Sequence, residues 1–326
     1  MESMKKRKRR LTRAAAAVLA ILLAACAGLL VYSRNKNIQG ETQKKIGAVY
    51  MTMNNPYFNV VNEKIKSVVR SRGDVMVTRD SALDSEMQNR QIEAFVQDGV
   101  DAILVNAVDW IKVEPALADA RAAGIPVIAV DALVRDSSLV DGSIISDNYQ
   151  AGVLCAKDLM LRRDSGRILF LIQETNRSAV DRIQGFKDTL DAAGWSYEVV
   201  DELDCKGQLE IAQPLVEQLL TDGVQMDVVM GLNDPSALGA MAALDAAGRL
   251  PDVLVYGVDG APEAKTMIYE KRMTATAAQS PLQTGEETAE LLYKVLDGRE
   301  IPKETVIPVR LITQENIGLF NLSSWE

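Results

Sequence analysis

From Lys44 onward, short apolar runs alternate with longer segments of helical period, and this alternation constrains the fold more than any other feature. The runs are Ile46–Met51, Val75–Thr78, Ala102–Val105, Val127–Val130, Ile144–Ser146, Ile168–Ile172, Tyr197–Val200, Val228–Leu232, Val253–Val258 and Thr274–Ala278. Several of the intervening segments stop at a glycine: Gly73, Gly99, Gly124, Gly194, Gly223, Gly248 or Gly298. Each stands where a left-handed residue closes a helix. Strand and helix in regular alternation build βαβ units, and therefore parallel sheets. About ten strands are too many for one comfortable doubly wound sheet, so the body divides into two lobes.

The helical segments are amphipathic. In Pro56–Arg72, Val60, Val61, Ile65, Val68 and Val69 share one face, while Lys64, Lys66 and Arg70 lie off it. Pro214 falls within the pattern Leu209–Leu220, where it is expected in the first turn or at a kink.

Charge is unevenly placed. The chain carries 36 Lys and Arg against 45 Asp and Glu, yet its first residues include Lys5, Lys6, Arg7, Lys8, Arg9, Arg10 and Arg13 with only Glu2 opposing them. The body is thus strongly acidic, which argues against nucleic acid as a partner. The basic head precedes an apolar run, Ala14 to Tyr32, the pattern of an export signal or signal anchor. Leu23-Ala24-Ala25-Cys26 resembles a bacterial lipobox, with Cys26 the candidate lipidation site; the uncut run is also just long enough to span a bilayer. Either form tethers the body to the membrane, outside the cytoplasm. Ser33 to Lys44 reads as a linker.

The only other cysteines, Cys155 and Cys205, are expected to be free thiols, although one disulfide between them is an alternative. No CxxC pair is present, and there is no histidine, so neither a metal site nor a cofactor is expected.

Polar residues recur where the apolar runs end. Asn54 and Asn55 follow Ile46–Met51 closely, with Pro56, Tyr57 and Phe58 behind them. This turn holds no glycine, unlike a phosphate-binding turn, and Asn55 before Pro56 suits a helix cap. Asn106, Asp131, Asp147, Asn148, Asn233, Asp234, Asp259 and Gln279 stand at the ends of later runs. Asp147 and Asp234 are expected to cap helices. In open α/β sheets ligands bind beyond the carboxyl ends of the strands. A rim of amides and carboxylates with a pair of aromatic rings suits an uncharged polyol: the polar groups pair with hydroxyls, and ring faces cover C–H bonds. Arg182, on the helix after Ile168–Ile172, is either solvent-facing or a donor to ligand oxygens.

The stretches TMNNPYF, ILVNAVD, VIAVDA, IISDNYQAG, VDRIQGF, GLNDPSALGA, YGVDGAPEA and AAQSPLQTG, in this order and spacing, resemble the bacterial periplasmic sugar-binding proteins of the ribose/galactose type. The similarity covers residues 44–313. It implies an α/β fold of two doubly wound parallel-sheet lobes joined by a three-strand hinge, behind the N-terminal membrane segment. Residues 1–43 would be signal or anchor and linker. Residues 44–146, completed by 280–308, would form one lobe, and 147–279, completed by 309–326, the other. Carried over motif by motif, the ligand residues would be Asn55, Tyr57, Phe58, Asn106, Asp131, Asn148, Arg182, Asn233, Asp259 and Gln279. The chain departs from the ribose binders in three places. Ala132 stands where they carry arginine, the Asp204–Gln208 stretch lacks their aromatic lid, and Tyr57 replaces phenylalanine.

The implied function is extracytoplasmic capture of a monosaccharide or related polyol for delivery to an ABC transporter permease. An alternative is a sugar-sensing subunit for a membrane histidine kinase. A sugar-responsive transcription regulator would need a helix-turn-helix domain in front, and residues 1–43 do not resemble one. A glycoside-acting enzyme would need acid and base carboxyls flanking a bond; Asp131 and Asp259 could form such a pair, but a closed monosaccharide pocket leaves no site for a leaving group.

Overall fold

The computed structural model describes residues 43–326, of which Lys45–Glu326 form one compact unit. The basic head, the Ala14–Tyr32 run and Cys26 lie outside the described residues. Among the described residues no helix is long and apolar enough to cross a membrane.

Strands β1 (Lys45–Tyr50), β2 (Val75–Asp80), β3 (Ala102–Val105), β4 (Val127–Val130) and β5 (Gly142–Ser146) belong to a first sheet. Strands β6 (Ser165–Ile172), β7 (Ser196–Asp204), β8 (Val228–Gly231), β9 (Leu254–Asp259) and β10 (Ala275–Ala278) belong to a second. Two late strands, β11 (Glu304–Ile307) and β12 (Arg310–Thr313), add one edge to each. The orders are β11-β5-β4-β3-β1-β2 and β12-β10-β9-β8-β6-β7, the same winding twice. All pairings are parallel except one: β12 runs antiparallel to β10, with Thr276 opposite Ile312. The second sheet is therefore mixed rather than wholly parallel. β11 leads into β12 through Pro308 and Val309 without a turn, and because the carboxyl ends of both sheets face the same cavity, the last strand enters the second sheet against the direction of its neighbours.

The central apolar runs become strands because both of their faces are covered. Ile103, Val105, Val127 and Ala129 face one layer of helices, and Leu104, Ile128 and Val130 face the other. Burial on both faces is what yields continuous apolar runs instead of alternation.

Between the strands run α1 (Pro56–Ser71), α2 (Ser85–Gln97), α3 (Glu114–Ala122), α4 (Asn148–Arg162), α5 (Arg177–Ala192), α6 (Leu209–Thr221), α7 (Asp234–Ala246), α8 (Pro262–Tyr269) and α9 (Pro281–Leu296). Helix α1 buries Tyr57, Phe58, Val61, Ile65 and Val69, with Val60 and Val68 at the edge of that face. The seven helix-ending glycines all take positive φ, as the stop pattern requires. Pro214 lies inside α6, beyond its first turn. Cys155 and Cys205 are buried free thiols.

The chain passes between the two sheets three times: from β5 into α4, from β10 into α9, and from β11 to β12. The C-terminal tail is fixed by Lys265, which is fully buried and donates to the Ser324 carbonyl and to Glu326 at 2.8 Å. This holds Trp325 edge-on against Tyr57, with ring centroids 6.0 Å apart.

Candidate functional site

Strand progression reverses between β1 and β3 in one sheet and between β6 and β8 in the other. At such switch points the loops after adjacent strands diverge and leave a crevice. The two crevices face each other. Met51 and Thr52 after β1, Gln173 after β6 and Asn233 after β8 line one shared cavity.

Asp131 and Asp259 lie deep in it, 3% and 2% exposed. Asp131 follows β4 and Asp259 ends β9, the corresponding strands of the two sheets. Both depart from ordinary backbone geometry, with φ of 65° and 136°. Such conformations cost about 1–3 kcal/mol each and persist where the surroundings enforce them. Gln279 donates to Asp259 Oδ1 at 2.7 Å, while Asp259 Oδ2, Asp131 Oδ1 and Gln279 Oε1 are buried without a partner. A buried acceptor without a donor is costly, so two carboxylate oxygens and an amide oxygen left unpaired in one place mark a surface built for something that donates.

Burial pushes the Asp131 carboxyl up, and the Arg182 charge and Tyr57 hydroxyl pull it partly back. Asp259 is raised well above the usual carboxylate range, again by burial; Arg182 opposes the rise and Asp234 adds to it.

Arg182 is buried, not solvent-facing. Its Nε donates to Asn148 Oδ1 and its Nη1 to the Leu232 carbonyl, each at 2.8 Å. This depends on the close approach of α4 and α5. A Cβ at Gly152 would collide with the Arg182 carbonyl, and one at Gly185 with the Tyr149 carbonyl. Two glycines thus let the helix backbones touch and bring Asn148 to the guanidinium.

Tyr57 and Phe58, 5.6 Å apart edge to face, form an apolar wall. Asn55 caps α1 by accepting from the Tyr57 amide, as its place before Pro56 predicts. Asn233 caps α7, accepting from the Ser236 amide and donating to the Gly207 carbonyl.

Of the ten residues singled out from sequence, Asn55, Tyr57, Phe58, Asp131, Arg182, Asn233, Asp259 and Gln279 line the cavity. Asn106 and Asn148 stand one layer behind it. Asn106 ties β1 to β4, accepting from the Met51 amide and donating to the Val130 carbonyl. Asn148 is occupied by Arg182 and the Ser146 carbonyl. Asp147 caps α4, but Asp234 is not the cap of α7. It sits fully buried at the first helical position, and its Oδ2 accepts from the Ala261 amide at 2.8 Å while its Oδ1 accepts from Thr276.

The sequence reading passed over Gln173, Asn176, Ser178 and Lys206, which also line the cavity. Gln173 follows Ile172 directly, so the strand-end rule would have found it. Ser178 donates to the Asp131 carbonyl at 2.8 Å, and the Trp110 amide donates to Thr175 at 3.1 Å. These bonds join residues of the two lobes, so the arrangement is a closed one. The cavity measures about 30 Å³, room for water rather than for a sugar ring, and ligand entry requires the lobes to part. Among the described residues no cluster of acidic or cysteine side chains could hold a metal ion.

Residues 46–300 match the sequence pattern of the periplasmic binding protein domain. The chain belongs to that family. This binding protein is 28% identical to the ribose import binding protein of Bacillus subtilis, over 87% of its own length and 92% of the relative's. It is similar to an ABC transporter solute binding protein from Bacillus halodurans with bound myo-inositol, at 26% identity and a TM-score of 0.79, covering 86% of this chain and 98% of that one. A solute binding protein from Mycobacterium smegmatis with bound glycerol is similar at 28% identity and a TM-score of 0.79, covering 85% and 96%. This binding protein is a ligand carrier and not an enzyme.

Proposed function

We propose that this binding protein captures an uncharged monosaccharide or related polyol between its lobes, outside the cytoplasm, and delivers it to an ABC importer. The observation that carries the reading is the set of unpartnered buried acceptors, Asp131 Oδ1, Asp259 Oδ2 and Gln279 Oε1, in one cavity with Tyr57 and Phe58. Sugar hydroxyls supply the missing donors, and one carboxylate can accept from two adjacent hydroxyls. Arg182 donates to ring or hydroxyl oxygens, Asn55 and Asn233 border the ring, and the two aromatic rings cover its C–H face. Asn106 and Asn148 act through the groups they brace. The relatives named above are described with ribose, myo-inositol and glycerol, all neutral and rich in hydroxyls.

In this reading residues 1–43 tether the body to the membrane through Cys26 or an uncut helix. Fractionating cells that carry wild type or Cys26→Ala separates the two forms, and a wholly cytosolic wild type rejects both. A thermal-shift screen of pentoses, hexoses and polyols tests the ligand class. A true ligand at a hundred times its Kd stabilises by about 2.7 kcal/mol. A screen in which no neutral polyol raises the melting temperature overturns the assignment.

A further inference from the structure

A second cavity of about 300 Å³ adjoins the first, and its lining includes Leu209, Pro235, Leu238, Glu263 and Trp325. Asn55, Gly207, Gln208 and Asp259 line both spaces, so the wall between them is one residue thick. That wall is weak. Gly207 contributes no side chain and takes φ of 67°; a Cβ there would press on the Asn233 amide. What else closes the wall is the Asn54 side-chain amide, whose Nδ2 donates across the lobes to Gln208 Oε1 at 2.9 Å and to Glu210 Oε1 at 2.8 Å. Asn54 can keep Glu210 while Gln208 exchanges its bond for one to a ligand hydroxyl.

The second cavity has the composition of a subsite rather than of a packing defect. One side is apolar, with Trp325, Leu209, Pro235 and Leu238. The other carries amides and the carboxylates of Glu210 and Glu263, and no Lys or Arg lines it. Such a lining takes an uncharged ring with an apolar face and rejects an anion. Trp325 is held in place by the Lys265 clamp on the tail and by its edge contact with Tyr57, so its face is positioned before any ligand arrives.

We infer that the ligand is a sugar bearing a ring-sized uncharged substituent, a second sugar or an aryl group, with the substituent lodged against Trp325 through the Gly207–Gln208 gap. The inference rests on the sugar reading of the inner cavity. It broadens the substrate class from free monosaccharides to glycosides, and it excludes sugar phosphates from this orientation.

The test is calorimetry with whichever free sugar the screen identifies, its p-nitrophenyl glycosides in both anomers, and disaccharides that carry it at either end. At least one substituted form is expected to bind within tenfold of the free sugar or more tightly. Leu238→Trp fills the second cavity without touching the first. It is expected to leave the free sugar unchanged and to weaken the substituted ligand at least tenfold. A free sugar that binds while every substituted form is rejected by a hundredfold or more overturns the inference and leaves the sugar reading standing. A substituted ligand whose affinity is the same in Leu238→Trp also overturns it, because the substituent then lies elsewhere. If no neutral sugar binds in any form, the sugar reading itself falls.

Discussion

The Arg182 guanidinium stands 3.8 Å from Asp259 Oδ1, yet its hydrogen bonds go to Asn148 and to the Leu232 carbonyl. It compensates the buried carboxylate by charge without consuming the carboxylate's lone pairs. Arg182→Met therefore leaves Asp259 buried and uncompensated, which costs about 3–5 kcal/mol where such pairs have been broken. The expected outcome is a lower melting temperature and loss of sugar affinity by about a hundredfold or more. Arg182→Lys keeps the charge and loses the planar fork, so calorimetry should give an intermediate affinity.

Asp131→Asn and Asp259→Asn each exchange a charged acceptor for a neutral amide. A hydrogen bond to a charged group contributes roughly 1.5–3 kcal/mol. Each substitution is expected to weaken sugar binding about ten- to a hundredfold. Variants that bind the identified sugar as tightly as wild type would place the ligand elsewhere.

Closure of the empty cleft should depend on pH. Burial raises both carboxyls in the closed form, whereas an open cleft would expose them to water. The closed empty form thus holds more protons, and its advantage is fully present below the ordinary carboxylate range. That advantage is lost as pH rises through the raised values. Small-angle scattering of ligand-free protein should give a smaller radius of gyration at acid pH than at neutral pH. The double variant Asp131→Asn with Asp259→Asn should flatten the dependence.

Asp234 makes a separate prediction. Its two acceptor bonds fix the turn after Asp259, through the Ala261 amide and Thr276, which itself accepts from the Gly260 amide. Asn at this position turns one acceptor into a donor. Asp234→Asn is expected to lower stability by about 1–3 kcal/mol and to weaken sugar binding severalfold. Burial pushes the Asp234 carboxyl up to about 6, so its contribution to stability is complete below the ordinary carboxylate range and is lost as pH rises through about 6. The difference in melting temperature between wild type and Asp234→Asn should therefore shrink over that interval.

Much of this was legible in the sequence, for local reasons. The ten apolar runs all became strands; in the central ones double-sided burial writes itself into consecutive apolar residues, while β2 and β7, at the sheet edges, are only partly covered. β11 and β12 carry no such run: Glu304–Ile307 and Arg310–Thr313 are half-exposed edges. Their pairing is fixed by distant partners, β5 and β10. The rim was legible because short polar residues follow the strands. Its second layer was not: Asn106 and Asn148 have the same local signature as lining residues, and only packing shows that their amides are already spoken for. Asp234 misled for a related reason. A residue before proline suits the cap position, but Asn233 had taken that place, and the burial of Asp234 comes from β9 and β10 across the sheet.

The three passages between the sheets carry a mechanical consequence. A body joined to another by one strand can tumble about it, and by two can still twist. Three side-by-side connections suppress sliding and twisting and leave a single soft coordinate, a swing. Every contact the ligand makes is then spent on one angle. A membrane partner touching both rims could measure that angle alone and learn whether the cleft is full, with no contact to the sugar.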